Sequence, residues 1–509
     1  MTKVKYGAAG LVLALAGVFY FWVTDLSEVC GCLPPPKEIE LDGSTLNVPV
    51  TMQTLDNGLK VVYSADHSVP TATVGVYYNI GFRIEPKGRT GFAHLFEHMM
   101  FQGSANLGKM EFIQLINGLG GSLNGSTRLD YTNYYEVFPA HKLETVLWAE
   151  ADRMRGLDIT QDNLTNQQEV VKNEVRVNVL NRAYGGFMSL DMPQYAFENW
   201  YNSHNFYGDM EDLDAANLDD VAAFFKSYYS PNNAVLIIAG DFEEAEAKAF
   251  VEKYFANIPS TPRPGPVDVS EPRQREEKWA VHIDDKAPRP ALAFAYHMPD
   301  RGTPEYFAMG IIEDILLGGE DSLLQEELVR RRGLTGGVSG GINIFGNLYD
   351  YDGPMLMTMG LIHDAGKPAE EIMAVVDEVI GDFSARLVTP EEMNRARIRL
   401  RSGLYGLVDS STRFGLVGLL AAFTIFDNNP GRINEIEADL MAVTPELIQK
   451  TAAEYLSRRN RTVLLRLPTA MAEARGVETG RIPVPDYGAA KKSGAPKEPE
   501  AGKEKETVE

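Results

Sequence analysis

The chain has 509 residues, of which 44% are hydrophobic and 23% charged, and this ordinary globular composition excludes a disordered or fibrous protein. Its formal net charge of −23 argues against nucleic acid as a partner, because phosphate binding needs a basic surface. The sequence has two cysteines, Cys30 and Cys32, so the rest of the chain can form neither an internal disulfide nor a thiolate metal site.

An apolar segment opens the chain. Lys3 and Lys5 precede an uncharged, mostly apolar run at residues 6–24, and Asp25 and Glu28 follow it. A helix rises about 1.5 Å per residue, so this run nearly spans a hydrocarbon core of about 30 Å. Lysines before the run predict that the N-terminus stays inside and the body lies outside, which in a bacterium is the periplasm.

The sequence allows two interpretations of this N-terminal segment. We predict a hydrophobic anchor and a proline stalk over residues 1–36, which tether a periplasmic body to the inner membrane. The alternative is cleavage as a signal peptide, with secretion or with lipid attachment through Cys30 or Cys32.

The body reads as two similar halves, at residues 50–260 and 285–470. In each half a helical stretch ends at a serine, Ser230 or Ser457, and an Asn three residues later opens a buried strand. Because this match recurs at the end of each half, we predict two homologous α+β domains in tandem.

Composition marks the segments between and after these halves. Residues 261–284 begin with a proline-rich, polar stretch and are predicted to be an interdomain linker. Residues 488–509 are rich in Lys, Glu, Pro and Gly and are predicted to be a disordered tail.

The metal chemistry is indicated by the sequence His94-Leu95-Phe96-Glu97-His98. His94 and His98 are four residues apart, so on a helix they point the same way and can bind one zinc ion. Glu97 shares that side and can take a proton from an attacking water. The neighbours are Phe, Leu and Met, so this helix is predicted to be buried, where unpaired polar groups cost several kcal/mol.

A hydrolytic zinc site needs a third protein ligand. Since the body has no cysteine, we expect Glu or Asp. The stretch at residues 163–181 looks helical and contains Glu169 and Glu174. Periodicity alone does not choose between them, and the usual role of such residues is a solvated helix charge.

H-x-x-E-H is the inverted form of the commoner zinc motif. Together with the turn 101–104, the segment 120–127 and the duplication, it resembles the pitrilysin family of inverzincin peptidases, of the bacterial two-domain type. That family includes insulin-degrading enzyme and mitochondrial processing peptidase. The resemblance covers about residues 50–470, and it implies two α+β sandwich domains, each an antiparallel sheet flanked by helices.

The resemblance also implies a site. Family members place the third ligand about 76 residues after the second His, and Glu174 lies 76 after His98, so it implies one zinc per chain on His94, His98 and Glu174. Gln167 stands where many relatives have an acid. Glu97 would be the general base of a metalloendopeptidase acting on peptides or unfolded polypeptides.

A peptide substrate would add as a strand beside a short segment of the first half. Its residues are Asn124, Gly125, Ser126 and Thr127. Main-chain pairing of this kind gives affinity with weak sequence demands. An ordinary edge strand is the alternative for this segment.

One departure from the family concerns substrate binding. Relatives carry an Arg and, seven residues later, a Tyr in the second half, and these positions are Val329 and Gly336 here. Arg330 is the nearest replacement for the Arg. We therefore predict a heterodimer, whose homologous partner lacks H-x-x-E-H and supplies the Arg/Tyr pair.

Two alternative functions remain for the chain. It could be a non-catalytic subunit of a complex, or a periplasmic peptide-binding chamber.

Overall fold

The computed structural model describes residues 45–485, so the predicted anchor at 1–36 and the predicted tail at 488–509 lie outside the described residues. Within 45–485, no helix is both long and apolar enough to cross a bilayer. Two six-stranded sheets organise this part of the chain.

The strands of the first sheet are β1 (Thr51–Thr54), β2 (Lys60–Ala65), β3 (Thr71–Tyr78), β4 (Ser122–Thr127), β5 (Thr132–Pro139) and β6 (Ala234–Gly240). They lie in the order β1-β2-β6-β3-β5-β4. The second sheet contains β7 (Lys278–Asp284), β8 (Ala291–His297), β9 (Ser339–Ile342), β10 (Leu356–Ile362), β11 (Arg461–Pro468) and β12 (Gly480–Ile482). Its order is β12-β7-β11-β8-β10-β9. This repeats the order of the first sheet except at one edge, where β1 comes from the start of the first half and β12 from the end of the second.

The expectation of antiparallel sheets needs a correction, because each sheet is mixed. The β2–β6 pair and the β7–β11 pair are parallel, and the other pairs are antiparallel. In each half a late strand returns after a helical crossover: β6 inserts between β2 and β3, and β11 inserts between β7 and β8. A crossover connection brings a strand back in the same direction.

The repeated Asn closes each half in the same way. Asn233 Nδ2 donates to Tyr228 O at 2.9 Å and to Asn79 O at 3.2 Å. Asn460 Nδ2 donates to Tyr455 O at 2.8 Å and to His297 O at 2.9 Å. The amide thus joins a helix end to a neighbouring strand end in both halves.

The predicted linker at 261–284 is also too long. Lys278–Asp284 forms β7, and Trp279, Ala280 and Val281 of this strand are buried. The apolar pattern of this strand is obscured in the sequence, because the charged residues Lys278 and Asp284 stand at its two ends. At the other end, β12 carries the second sheet past residue 470.

Sixteen α-helices lie within the described residues. Those of the first half are α1 (Phe92–Met99), α2 (Glu111–Gly118), α3 (Leu143–Arg155), α4 (Gln161–Val175), α5 (Met192–Ala196), α6 (Trp200–Ser203), α7 (Met210–Ala215), α8 (Leu218–Tyr228) and α9 (Glu244–Phe255). Those of the second half are α10 (Pro304–Leu317), α11 (Ala369–Ala385), α12 (Pro390–Val408), α13 (Phe414–Phe426), α14 (Ile436–Ala442), α15 (Pro445–Tyr455) and α16 (Thr469–Arg475).

Each half packs a helical segment against the sheet of the other half. Helix α13 of the second half packs on β3 and β6 of the first sheet, where Val417 sits over Gly75. In return, α5 and the π-helical turn Phe187–Asp191 pack on strands of the second sheet. There β8 presents only alanines, Ala291, Ala293 and Ala295, so the helical segment can approach closely. Each sheet is therefore covered on both faces, and this explains why β6 is buried throughout.

Candidate metal centre

Helix α1 places the motif inside the first half. It begins after Gly91, whose φ of +82° lies in the left-handed region, and it runs from Phe92 to Met99. Phe92, Leu95 and Phe96 are buried in the core against the first sheet. The opposite face of the helix carries the motif side chains.

Helix α4 supplies the carboxylate. Thr160 caps it by accepting a hydrogen bond from Asn163 N at 3.2 Å, and Val171 and Val175 are buried on the side that packs on α1. Glu174 lies in the last turn of this helix. Because α4 crosses α1, its C-terminal turn brings the Glu174 carboxylate to the imidazoles.

Three donor atoms converge between these helices. His94 Nε2 and His98 Nε2 are 3.3 Å apart, and Glu174 Oε2 lies 3.7 Å from His94 Nε2 and 3.4 Å from His98 Nε2. A tetrahedral zinc ion with bonds of about 2.0–2.1 Å separates its ligand atoms by about 3.3 Å. The three side chains therefore fit zinc, and within residues 45–485 they are the one group of His, Cys, Asp or Glu with such a geometry.

The choice between the two acids of α4 follows from their surroundings. Glu169 points to solvent, with 62% of its side chain exposed, and forms an ion pair with Lys172 at 2.5 Å. It does not approach the histidines. Glu174 is the acid that the structure brings to them.

The electrostatics suit cation binding. Burial, together with the neighbouring His98, lowers the pKa of His94 to about 4 and keeps its imidazole neutral. The contact with His98 lowers the pKa of Glu174 and keeps its carboxylate ionised. Neutral imidazoles and an ionised carboxylate are the forms that coordinate a metal.

Glu97 stands beside the donors without joining them. Its Oε2 accepts a hydrogen bond from Thr127 Oγ1 at 2.7 Å, and burial raises its pKa. Thr127 is the last residue of β4, so the carboxylate is held between the helix and the edge strand. A general base needs such a fixed position and a pKa moved toward neutrality.

The segment predicted to bind substrate is the edge strand β4. It pairs with β5 on one side, and within residues 45–485 no strand pairs with its other side. Asn124 is exposed, Ser126 donates to Asn133 Oδ1 at 2.6 Å, and Gly125 is buried against Glu97. A free strand edge thus runs past the motif.

The position of the expected family acid is also visible. Gln167 is buried on α4, two turns before Glu174. The buried His94 Nδ1 has no hydrogen-bond partner within the described residues. Histidine ligands usually donate this second N–H to an acceptor, so this chain departs from the common arrangement.

The second half has neither Arg nor Tyr at the two positions where the resemblance leads us to expect them, which are Val329 and Gly336. Arg330 is engaged at the surface with Glu320 and Glu326, each at 3.4 Å. Gly336 lines a cavity of about 580 Å³. Val329 has no polar group to offer.

Sequence reasoning missed three residues near the centre. The half-buried Tyr207 packs its ring edge-on against His94, with ring centroids 5.6 Å apart. Arg128 follows β4, favours the ionised form of Glu97, and donates to Phe345 O in the second half. Glu85 is buried behind α1. None belongs to the motif, and their positions depend on loops that no local pattern describes.

Comparison with known proteins agrees with this geometry. A sequence model described as Insulinase (Peptidase family M16) matches residues 60–197, and one described as Peptidase M16 inactive domain matches residues 215–400. The chain is 25% identical over 427 residues to the zinc protease PqqE of Helicobacter pylori, which covers 82% of this chain and 92% of that protein.

Solved structures show the same fold. The crystal structure of a protease from Helicobacter pylori matches with a TM-score of 0.76 and 23% identity, over 83% of this chain and 100% of that one. The first half of the periplasmic protease PqqL from Escherichia coli matches with a TM-score of 0.66 and 14% identity, over 86% and 96%. Two matched domains, the inverted motif and the repeated sheets lead to one conclusion: the chain belongs to the peptidase M16 (insulinase/pitrilysin) family.

Proposed function

We propose that this chain is a zinc metalloendopeptidase that hydrolyses peptides or unfolded polypeptides. The observation that carries the proposal is the convergence of His94, His98 and Glu174 to within 3.3–3.7 Å, with Glu97 beside them at a free strand edge. Its relatives named zinc proteases support the same chemistry.

His94, His98 and Glu174 would hold one zinc ion, which when bound supplies Lewis acidity and lowers the pKa of water. Glu97 then acts as the general base and takes the proton of the attacking water. The bond from Thr127 at 2.7 Å keeps its carboxylate in place. Because burial raises the Glu97 pKa, the protonated acid can next deliver that proton to the leaving amine.

The substrate would bind as an added strand along β4, at Asn124, Gly125, Ser126 and Thr127. Backbone pairing with an edge strand requires an extended, unpaired segment, which folded proteins rarely offer. A Cβ at Gly125 would lie 3.1 Å from Glu97 Cγ, so glycine keeps the space between strand and base clear. This favours unfolded substrates with weak sequence demands.

The active assembly would be a heterodimer with a homologous subunit. Val329 and Gly336 replace the family Arg and Tyr, and Arg330 is paired with Glu326 and Glu320. The partner would lack H-x-x-E-H and carry the Arg/Tyr pair. This chain would contribute the metal and the base.

We place the protein in the periplasm, held to the inner membrane by its N-terminal segment. The support is the apolar run at residues 6–24 and the structural neighbour described as a periplasmic protease. The alternative is secretion, or lipid attachment through Cys30 or Cys32.

The experiment is purification of the chain alone and together with its partner subunit, followed by zinc analysis and hydrolysis of an unstructured peptide. We expect about one zinc per chain and strong activity only in the pair. Full activity of the chain alone would overturn the heterodimer. A pair without zinc or hydrolysis would overturn the peptidase and favour a non-catalytic, peptide-binding subunit.

A further inference from the structure

A carboxylate outside the motif holds the start of the metal helix α1. Glu85 is fully buried, with 0% of its surface exposed. Its Oε2 accepts a hydrogen bond from Gly91 N at 2.9 Å, and its Oε1 accepts one from Ala93 N at 2.6 Å. The first N–H groups of a helix have no partners within it, so Glu85 supplies what the helix lacks.

The helix cannot supply this cap from its own residues. Helices usually begin at Ser, Thr, Asp or Asn, whose side chain accepts from the first turn. Here the N-cap is Gly91, with φ of +82° and no side chain. A larger residue would be strained there, because φ is positive and a Cβ would lie 3.0 Å from Gly208 Cα. The capping role therefore passes to Glu85, six residues earlier.

Glu85 is itself fixed to the rest of the site. It follows the short 3₁₀ turn Phe82–Ile84, in which the buried Arg83 donates through Nε to Asp130 Oδ1 at 2.6 Å. Arg83 Nη1 also donates to Pro354 O of the second half at 2.9 Å. Asp130 lies in the turn between β4 and β5. This segment thus connects the metal helix, the edge strand and the second half.

A second loop borders the same carboxylate. His204 is buried, and its Nε2 lies 3.8 Å from Glu85 Oε2. Three residues later, Tyr207 packs against the His94 ring. The helix start is therefore enclosed between Glu85 and the loop 204–208.

We propose that Glu85 is a positioning residue, which sets where His94 and Glu97 stand relative to β4. The inference rests on the proposed zinc peptidase function. The hydrogen bonds from Gly91 N and Ala93 N to Glu85 fix the position of α1 along its axis and its rotation about that axis. His94 lies one residue after Ala93, so its position depends on both. A misplacement of about 1 Å in a catalytic group can lower the rate about a hundredfold.

The test compares Glu85→Gln with Asp284→Asn in the full chain assembled with its partner. Asp284 is a matched control, because it is buried in the second half and also accepts backbone bonds, from Lys286 N at 2.9 Å and Ala287 N at 3.1 Å. The readouts are the visible absorption of the cobalt(II)-loaded protein, zinc affinity, kcat and KM. Amide exchange of α1 in the metal-free protein is a fourth readout.

For Glu85→Gln we expect a changed cobalt(II) spectrum, zinc affinity about 10–100-fold lower and a lower kcat at nearly constant KM. The amides of α1 should exchange about tenfold faster. Asp284→Asn should lower stability and leave the spectrum and kcat unchanged. If Glu85→Gln does not fold, Glu85→Asp, which is one methylene shorter, should show the same changes at smaller size.

An unchanged cobalt(II) spectrum and kcat in the Glu85 variant would overturn the positioning role, as would equal changes in Asp284→Asn. A wild-type assembly that binds no cobalt(II) would instead defeat the zinc function, and the positioning role with it.

Discussion

Both halves present a carboxylate to their edge strand, yet within residues 45–485 only the first half brings together three side chains that could hold a metal ion. In the first half, Glu97 of α1 lies against Gly125 of β4. In the second, Glu313 of α10 lies against Gly341 of β9 and accepts a hydrogen bond from Ile342 N at 3.2 Å. The repeated fold therefore provides a place for an acid beside a strand edge in both halves.

The difference lies in what surrounds that acid. Two imidazoles one helical turn apart flank Glu97, and α4 brings a third ligand to them. The second-half histidines His282, His297 and His363 lie on strands or at a strand end, where none can form such a pair on a helix. The comparison teaches that the repeated fold places an acid beside a strand edge, whereas the candidate metal site depends on three further side chains, His94, His98 and Glu174.

The largest expected effect tests this division directly. Glu97→Gln removes the base but keeps the shape, so turnover of an unstructured peptide should fall on the order of 10²- to 10⁴-fold while zinc stays bound. Glu313→Gln is the matched control and should change turnover less than about twofold. Equal losses in both variants would show that the two acids are not functionally distinct.

The next effect concerns the third ligand. Glu174→Gln should weaken zinc binding by more than about a hundredfold, because loss of a ligand exceeds the usual cost of losing its outer partners. Competition with a chelator of known affinity measures this change. Glu169→Gln, on the same helix but 62% exposed, should leave zinc affinity unaltered. Weaker binding in the Glu169 variant would contradict the assignment.

A smaller effect is expected at the strand edge. In Gly125→Ala the new Cβ would lie 3.1 Å from Glu97 Cγ and 3.3 Å from Tyr134 Cδ1, so the base must shift. We expect kcat/KM about tenfold lower with zinc content unchanged, measured on the peptide substrate. Gly118→Ala is the control, since its Cβ would meet nothing within 4 Å. Unchanged kcat/KM in Gly125→Ala would argue against a role of this edge.

The smallest effect on turnover is expected for Glu313→Gln, and this variant sharpens the comparison through stability. Burial raises the pKa of Glu313 to about 7, above its ordinary value of 4.5. A raised pKa contributes stability that is complete below pH 4.5 and is lost as the pH rises through about 7. Glu313→Gln does not ionise, so it should match the wild type at about pH 4 and exceed it by about 3 kcal/mol at about pH 8. Unfolding at the two pH values measures this, and a difference that does not depend on pH would contradict it.

Much of the fold followed from the sequence where the signal was local. The H-x-x-E-H spacing predicted a helix with two imidazoles on one side. The recurrence of a Ser and an Asn three residues later at the end of each half predicted a repeated unit. The same signals failed where charges obscured a strand, as at Lys278–Asp284, and where the direction of pairing depended on a distant return, as for β6. Periodicity left Glu169 and Glu174 open; the family resemblance selected Glu174, and the crossing of α1 and α4 brings it to His98.

The sequence by itself determined the family, the helix that carries His94, Glu97 and His98, and the tandem α+β organisation, because these depend on residues a few positions apart whose spacing matches a helix turn or a strand. Only the tertiary structure decided that the halves exchange helices, that the third ligand meets the histidines, and that Glu85 caps the metal helix. The first two features join segments far apart in the chain, and the third depends on the fold of the loop between Glu85 and Gly91. They depend on how helices and sheets pack, and no local pattern of residues records that packing.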